Sequence, residues 1–339
     1  MSRRFVPWFV GLIVLAAVTI AAVAAQASVS SPTTVYSSNG CTVQEYRAAK
    51  NDSTPNRIIA APDGYHWFTE ERESLGRIAV VYPNRTIVQF PIPTLHGLPY
   101  GIAIGPDGTV WFTEAQASKI GRLSKSRVFT EYPLPPPPIV AQTGTRSPTG
   151  IVRGPDNNMW FTEAAIGWIG RISPDGVLKE FKPGFGGPVY ITVGPDGALW
   201  FTDSLDVVGR ITTSGKITHF RLPPKSGPMG ITSGPDGALW FTEYDRDRIG
   251  RITVNGVISH FSLPPGSVPG FPMDIASNGV SIWFTEPNRS SVARISTAGL
   301  ITEVPLHSGV GPSGITVDRD GEVWFTENNA NRIGVLKCL

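Results

Sequence analysis

The chain has 339 residues, of which 41% are hydrophobic and 17% charged, with 29 Lys and Arg against 27 Asp and Glu. That leaves room for a sizeable core, and the near balance of charge argues against a nucleic-acid partner, which would want a basic stripe. The 37 Gly and 31 Pro, beside 10% aromatics, fit many short strands joined by tight turns rather than a disordered chain.

The N-terminus reads as an export signal. Ser2-Arg3-Arg4 gives a positive start, an apolar run follows from Phe9 to Ala25, and Ala25-Gln26-Ala27 supplies a small-x-small cleavage pattern. Residues 1–27 are therefore expected to be a signal peptide and 28–40 a short linker. Residues 41–339 would form the folded domain, secreted or periplasmic. Retention of the apolar run as a membrane anchor is the alternative, and a membrane is a partner only in that case. Loss of Arg3 and Arg4 leaves 27 basic against 27 acidic residues. The two cysteines, Cys41 and Cys338, read as a disulfide in an exported protein.

From there the chain repeats itself. Trp67, Trp111, Trp160, Trp200, Trp240, Trp283 and Trp324 are spaced 44, 49, 40, 40, 43 and 41 residues apart. The clearest copy runs from Met229 to Pro265 and divides into four β-rich runs, MGITSG, ALWFTE, RIGRIT and ISHFSL. A Pro-Asp-Gly type I turn joins the first two, as in residues 61–64, 105–108, 194–197 and 234–237, with GPDN at 154–157. Four antiparallel strands in every 40–50 residues predict an all-β, seven-bladed β-propeller. The seventh copy stops after its third strand at 332–337, and TVQEYR (42–47) resembles the missing fourth, so the N-terminal strand should close the last blade. The Trp-Phe pair of each second strand is expected to fill the gap between blades.

The direction of the strands puts the last residue of each second strand on one face, the top. There Glu70, Glu114, Glu163, Asp203, Glu243, Glu286 and Glu327 would form a crown. One reading is a cation site for magnesium or calcium, with Glu286 and Glu327 as candidate ligands. The preferred reading is that each acid bonds its own loop or a local Arg, because a residue present in every blade usually builds the blade. Arg77, Arg122, Arg171, Arg210, Arg251 and Arg294 of the third strands are read in the same way, with Val335 the single departure.

Variation is concentrated at the residue that opens each first strand: Asn56, Tyr100, Thr149, Val189, Met229, Met273 and Ser313. These should face the channel mouth and read a ligand, or simply plug the channel. The Pro-rich insertion 135–148 is a lid or a stiff spacer. Trp168, Phe185, Tyr190, Tyr244 and Phe271 add aromatic surface near that face. Among the histidines, His96 and His307 lie in top loops, His66 starts a second strand, and His219 and His260 sit in outer strands.

The repeat GITSGPDGALWFTE…IGRIT..G.I..F.LP resembles that of the streptogramin B lyases, also called virginiamycin B lyases, across residues 42–337. The resemblance implies a seven-bladed propeller whose active members open cyclic depsipeptide antibiotics by elimination at the ester bond, with magnesium. The family's last blade opens Glu-Pro-His-Gly-Ile, the Glu binding metal and the His serving as base. Here that segment is Gly311-Pro312-Ser313-Gly314-Ile315. Ser313 thus stands at the base position, Met273 at that of a substrate-binding His in the sixth blade, and Glu327 matches a second metal-side acid. His307 is the one remote substitute base. The expected function is an exported, monomeric propeller that binds a small molecule, glycan or peptide at its top face without the lyase base; the alternative is a streptogramin B lyase.

Overall fold

The computed structural model describes residues 13–14, 17–20, 26–29, 31–48, 53–71, 75–137, 144–184 and 186–338. Seven antiparallel sheets follow one another around a ring, and each inner strand lies beside the next blade's inner strand. In blade 5 the strands are Pro228–Ser233, Ala238–Glu243, Arg248–Thr253 and Ile258–Ser262, from the channel outward. The predicted turns are present: Gly197 and Gly237 take φ of +70° and +72°, and in the GPDN copy Asn157 takes +61°. Asparagine is among the few side chains that tolerate that region.

Each residue of the repeated Trp-Phe-Thr phrase has a separate mechanical task. The seven apolar cores lie at the seven seams, each holding the Trp of one blade and the Phe of the next: Trp160 with Phe201, Trp240 with Phe284, Trp324 with Phe68. The Phe ring lies over the third strand of its own blade, which is why that strand carries Gly. A Cβ on Gly170 or Gly250 would come within about 2.2 Å of the ring of Phe161 or Phe241. The Thr hydroxyl stitches the blades together. Thr162 Oγ1 accepts from Gly150 N–H (2.8 Å) and donates to Val189 O of the next blade (2.8 Å). Thr69, Thr113, Thr202, Thr242, Thr285 and Thr326 each donate likewise across their own seam.

The ring closes as the sequence indicates. Cys41–Arg47 is the outer strand of blade 7, paired antiparallel with Arg332–Cys338, and Cys41 and Cys338 are opposite one another and form a disulfide. The loop it spans, 297 residues, corresponds to about 5–6 kcal/mol on the chain-entropy model.

Two expectations need correction. Within the predicted linker 28–40, Thr34–Ser38 is a fifth strand on blade 7, in register Tyr36↔Val43, because the outer edge of Cys41–Arg47 would otherwise leave its backbone groups unpaired. Gln26–Val29 pairs in the same way with the outer strand of blade 1. Most of the predicted signal segment, residues 138–143 of the Pro-rich insertion, and Phe185 lie outside the described residues. Among the described residues no helix is long and apolar enough to cross a membrane. Finally, Arg77 is out of register with the other third-strand arginines. It lies opposite Glu70, whereas the residue opposite Trp67 is Val80.

Candidate functional site

The crown acids are built into the blades. All seven are fully buried, and in blades 1 and 5 an outer-strand side chain opposite a small third-strand residue reaches the acid. Gln89 Nε2 donates to both oxygens of Glu70 (2.7 and 2.6 Å), and His260 Nδ1 lies 2.9 Å from Glu243, which also pairs with Arg248. Where two acids meet, a cation joins them. Arg146 binds Glu163 (2.6 Å) and Glu180, and Arg289 lies 2.7 Å from Glu303 and 3.4 Å from Glu286. Asp203 accepts Leu205 N–H (2.9 Å). Blades 2 and 7 depart from this scheme. Lys119 bonds Glu131 (2.7 Å) and Arg332 bonds Glu45 (2.5 Å), and both oxygens of Glu114 and of Glu327 are left without a hydrogen bond. Burial, with Glu131 or Glu45 adding repulsion, pushes each of these two carboxyls up to about 8.

These residues do not fit the magnesium site that the resemblance implies. Gly311, at the position of the metal carboxylate, has φ of +57°, and a Cβ there would lie 2.5 Å from Asn329 Nδ2, so the Asn329 side chain fills that space. Glu327 is enclosed beside Glu45, and Glu286 belongs to the adjacent blade with Arg289. Among the described residues no three His, Cys, Asp or Glu side chains converge. The two candidate metal ligands are therefore not brought together.

The mouth residues are only partly assembled into one site. Ser313, 7% exposed, donates its hydroxyl to Asn56 Oδ1 (3.2 Å) and lies 3.8 Å from Met273 Sδ. Thr149 is turned into the seam, where its hydroxyl meets Val189 O and Thr162. Tyr100, Val189 and Met229 pack, half-buried, on the core between blades 4 and 5. His307 is not with Ser313. Its Nδ1 lies 3.0 Å from the buried Glu45, and its ring lies against Tyr36.

Four side chains of the candidate site were missed in the sequence or, for Tyr190, read only as aromatic surface near the top face. The residue that follows the variable mouth residue is Gly in blades 2, 3, 5 and 7, where a Cβ on Gly101 would meet the backbone of the next blade at 2.1 Å. In blades 1, 4 and 6 it is Arg57, Tyr190 and Asp274, and these three converge in the channel. Arg57 Nη1 lies 2.6 Å from Asp274 Oδ2, its guanidinium sits 4.4 Å over the Tyr190 ring, and Tyr190 shares a 3.0 Å hydrogen bond with Tyr100. Asp274 Oδ2 also accepts Ile315 N–H (2.9 Å), which ties blade 6 to blade 7. The fourth is Glu71, whose carboxylate accepts the Asn56 amide and whose pKa burial raises. The sequence suggested a mouth without a proton acceptor; Glu71, placed by the loop just after Glu70, corrects that. Breaks in the Pro-x-Gly-Ile pattern could have revealed Arg57, Tyr190 and Asp274, whereas Glu71 carried no signal. Tyr190, expected to add aromatic surface near the top face, is 3% exposed in the channel. Burial raises the pKa of both tyrosines, so the site offers two hydroxyls, an amide and a paired guanidinium as hydrogen-bonding groups. Tyr244 and Phe271 stack on one another at 4.9 Å between loops.

Comparison with known proteins gives one family. Its model, described as the virginiamycin B lyase family, matches residues 29–143 and 138–338. A solved streptogramin B lyase is 37% identical, with 88% of this chain and 97% of that one covered and a TM-score of 0.81. Virginiamycin B lyase from Staphylococcus aureus is 36% identical over 88% of this chain and all of its own, also with a TM-score of 0.81. A catalytically inactive variant of it has been solved with quinupristin, at the same identity. The WD40 propeller domain of Doa1, 11% identical with a TM-score of 0.65 over 86% of this chain and 96% of its own, shares the fold alone. None of the curated proteins matches.

Proposed function

The chain belongs to the virginiamycin B lyase family, and from that premise we propose that it is an exported member whose upper mouth binds a ligand without eliminating it. Elimination needs a base at the proton beside the carbonyl and a cation at the developing enolate. One observation carries the reading. The residue at the base position, Ser313, is a buried hydroxyl engaged with Asn56 and Met273. The space beside Gly311, where the metal carboxylate would project, is taken by Asn329. Half-buried Tyr100, Val189 and Met229 beside Asn56 and the Arg57–Asp274 pair suit a small molecule, glycan or peptide with both apolar and hydrogen-bonding surface. The disulfide, the positive start and the apolar run support export.

Glu71 favours one second reading, a lyase with a displaced base, because its carboxylate reaches the mouth through Asn56. Incubation of the full chain with quinupristin and magnesium, followed by chromatography with mass detection, separates the two. Binding without turnover predicts a single unshifted peak. An isomer of unchanged mass and new retention, lost in Glu71→Gln, would overturn the binding reading.

A further inference from the structure

The lower face departs from the repeat in blade 1 as it does in blades 6 and 7, where Ser281 takes the indole of Trp283 and Val335 stands opposite Trp324. In blades 3, 4 and 5 the turn aspartate joins the second-strand indole to the third-strand arginine. Asp156 holds Trp160 (2.9 Å) and Arg171 (3.3 Å), Asp196 holds Trp200 (3.0 Å) and Arg210 (2.6 Å), and Asp236 holds Trp240 (3.0 Å) and Arg251 (2.6 Å). Blade 1 keeps Asp63 and Trp67 but has Val80 opposite the indole. Asp63 stays exposed and accepts only Tyr65 N–H (3.2 Å).

Trp67, 5% exposed, is alone among the seven repeat tryptophans in making no indole hydrogen bond among the described residues. The other six donate to Thr109, Asp156, Asp196, Asp236, Ser281 and Asp318. Against the two groups that the missing arginine would have joined lies a cleft of about 460 Å³ between blades 1 and 2. Its walls include Tyr65, Trp67, Asp63, Lys125, Arg127 and Arg153. Arg127 is held in place, 5.0 Å over the Trp67 ring and donating to Tyr82 Oη (3.1 Å), while Lys125 and Arg153 are exposed.

We propose that this cleft is a second binding site, separate from the upper mouth, for a carboxylate carried on a ring of about one or two sugar units. Three cations against one carboxylate favour an anion. The Trp67 indole N–H, on the cleft wall and without a protein acceptor among the described residues, is free to donate to a ligand. Trp67 and Tyr65 offer aromatic surface on which a ring can lie, and the volume is that of a small-ligand pocket. A uronic-acid sugar and an aromatic acid share this chemistry.

The test is titration of the full, disulfide-bonded chain with digalacturonate, with 4-biphenylcarboxylate and with neutral lactose. Binding is read by calorimetry and by the Trp67 indole N–H resonance, assigned through Trp67→Phe. At least one anionic probe should bind at millimolar concentration or below and move that resonance, and which one does so separates the two ligand sources. Reversing the exposed charges, Lys125→Glu with Arg153→Glu, should weaken binding about tenfold or more at unchanged Tm. Val80→Arg, which restores the partner found in blades 2 to 6, should abolish it. The proposal fails if neither anion moves the Trp67 resonance by about 10 mM, if lactose moves it equally, or if charge reversal leaves the affinity unchanged.

Discussion

Blade 5 and blade 1 are made from the same four strands, yet they treat the same polar groups differently. In blade 5 Asp236 is taken up by Trp240 and Arg251 at the lower end, and Glu243 by Arg248 and His260 at the upper end. In blade 1, among the described residues, Asp63 has no cation and Trp67 no acceptor, and Arg57 stands where blade 5 has Gly230. The difference teaches that the repeated phrase is spent on holding the ring together. Groups able to meet a ligand appear where one repeated partner has been replaced.

That contrast can be broken by measurement. The largest effect is expected from Trp240→Ala, which empties a fully buried seam and removes an indole hydrogen bond, at a cost of about 3–5 kcal/mol in chemical denaturation. Trp67→Ala should cost about 1 kcal/mol less, because no hydrogen bond is lost. Equal costs would mean that the two seams are mechanically alike. Next comes pH. Glu327 has a folded pKa of about 8, above the roughly 4.3 of a carboxyl in an unfolded chain. Between those values the folded state binds more protons, so stability is full below about pH 4 and falls as pH rises through about 8. Glu327→Gln should remove on the order of 2 kcal/mol of that decline, read as a flatter plot of Tm against pH from 5 to 9. An unchanged slope would show that Glu327 is not held as the neutral acid. The smallest effects separate the turn acids. Asp236→Ala should cost about 1–3 kcal/mol, whereas Asp63→Ala should stay within about 0.5 kcal/mol. Similar losses would give Asp63 a structural partner after all.

The architecture was legible because its determinants are local and repeated. Trp spacing, Pro-Asp-Gly turns and the orphan fourth strand each state one requirement of a blade, and seven copies make the statement hard to misread. The Thr stitches were equally visible as letters, but their task depends on which carbonyl the next blade presents. The candidate site was harder for the same reason. Arg57, Tyr190 and Asp274 lie 84 to 217 residues apart in pairs, and only ring closure brings them together. Arg77 shows the opposite failure. Its Gly-Arg-Ile motif matches blades 3, 4 and 5 letter for letter, yet hydrogen-bond register places Val80 opposite the indole. Motif position is not strand position when a loop changes length.

The pairing of Cys41–Arg47 with Arg332–Cys338 also sets an order of events. A ribosome or an export channel delivers the chain from one end, so the first of these strands must wait while six blades emerge before its neighbour exists. Until then Val43 and Tyr46, both buried in the finished ring, lack the Leu336 and Ile333 that lie opposite them there. A chain cut short anywhere in between cannot pair Cys41 with Cys338, so the bond between the two sulfurs can form only once the last strand has been delivered.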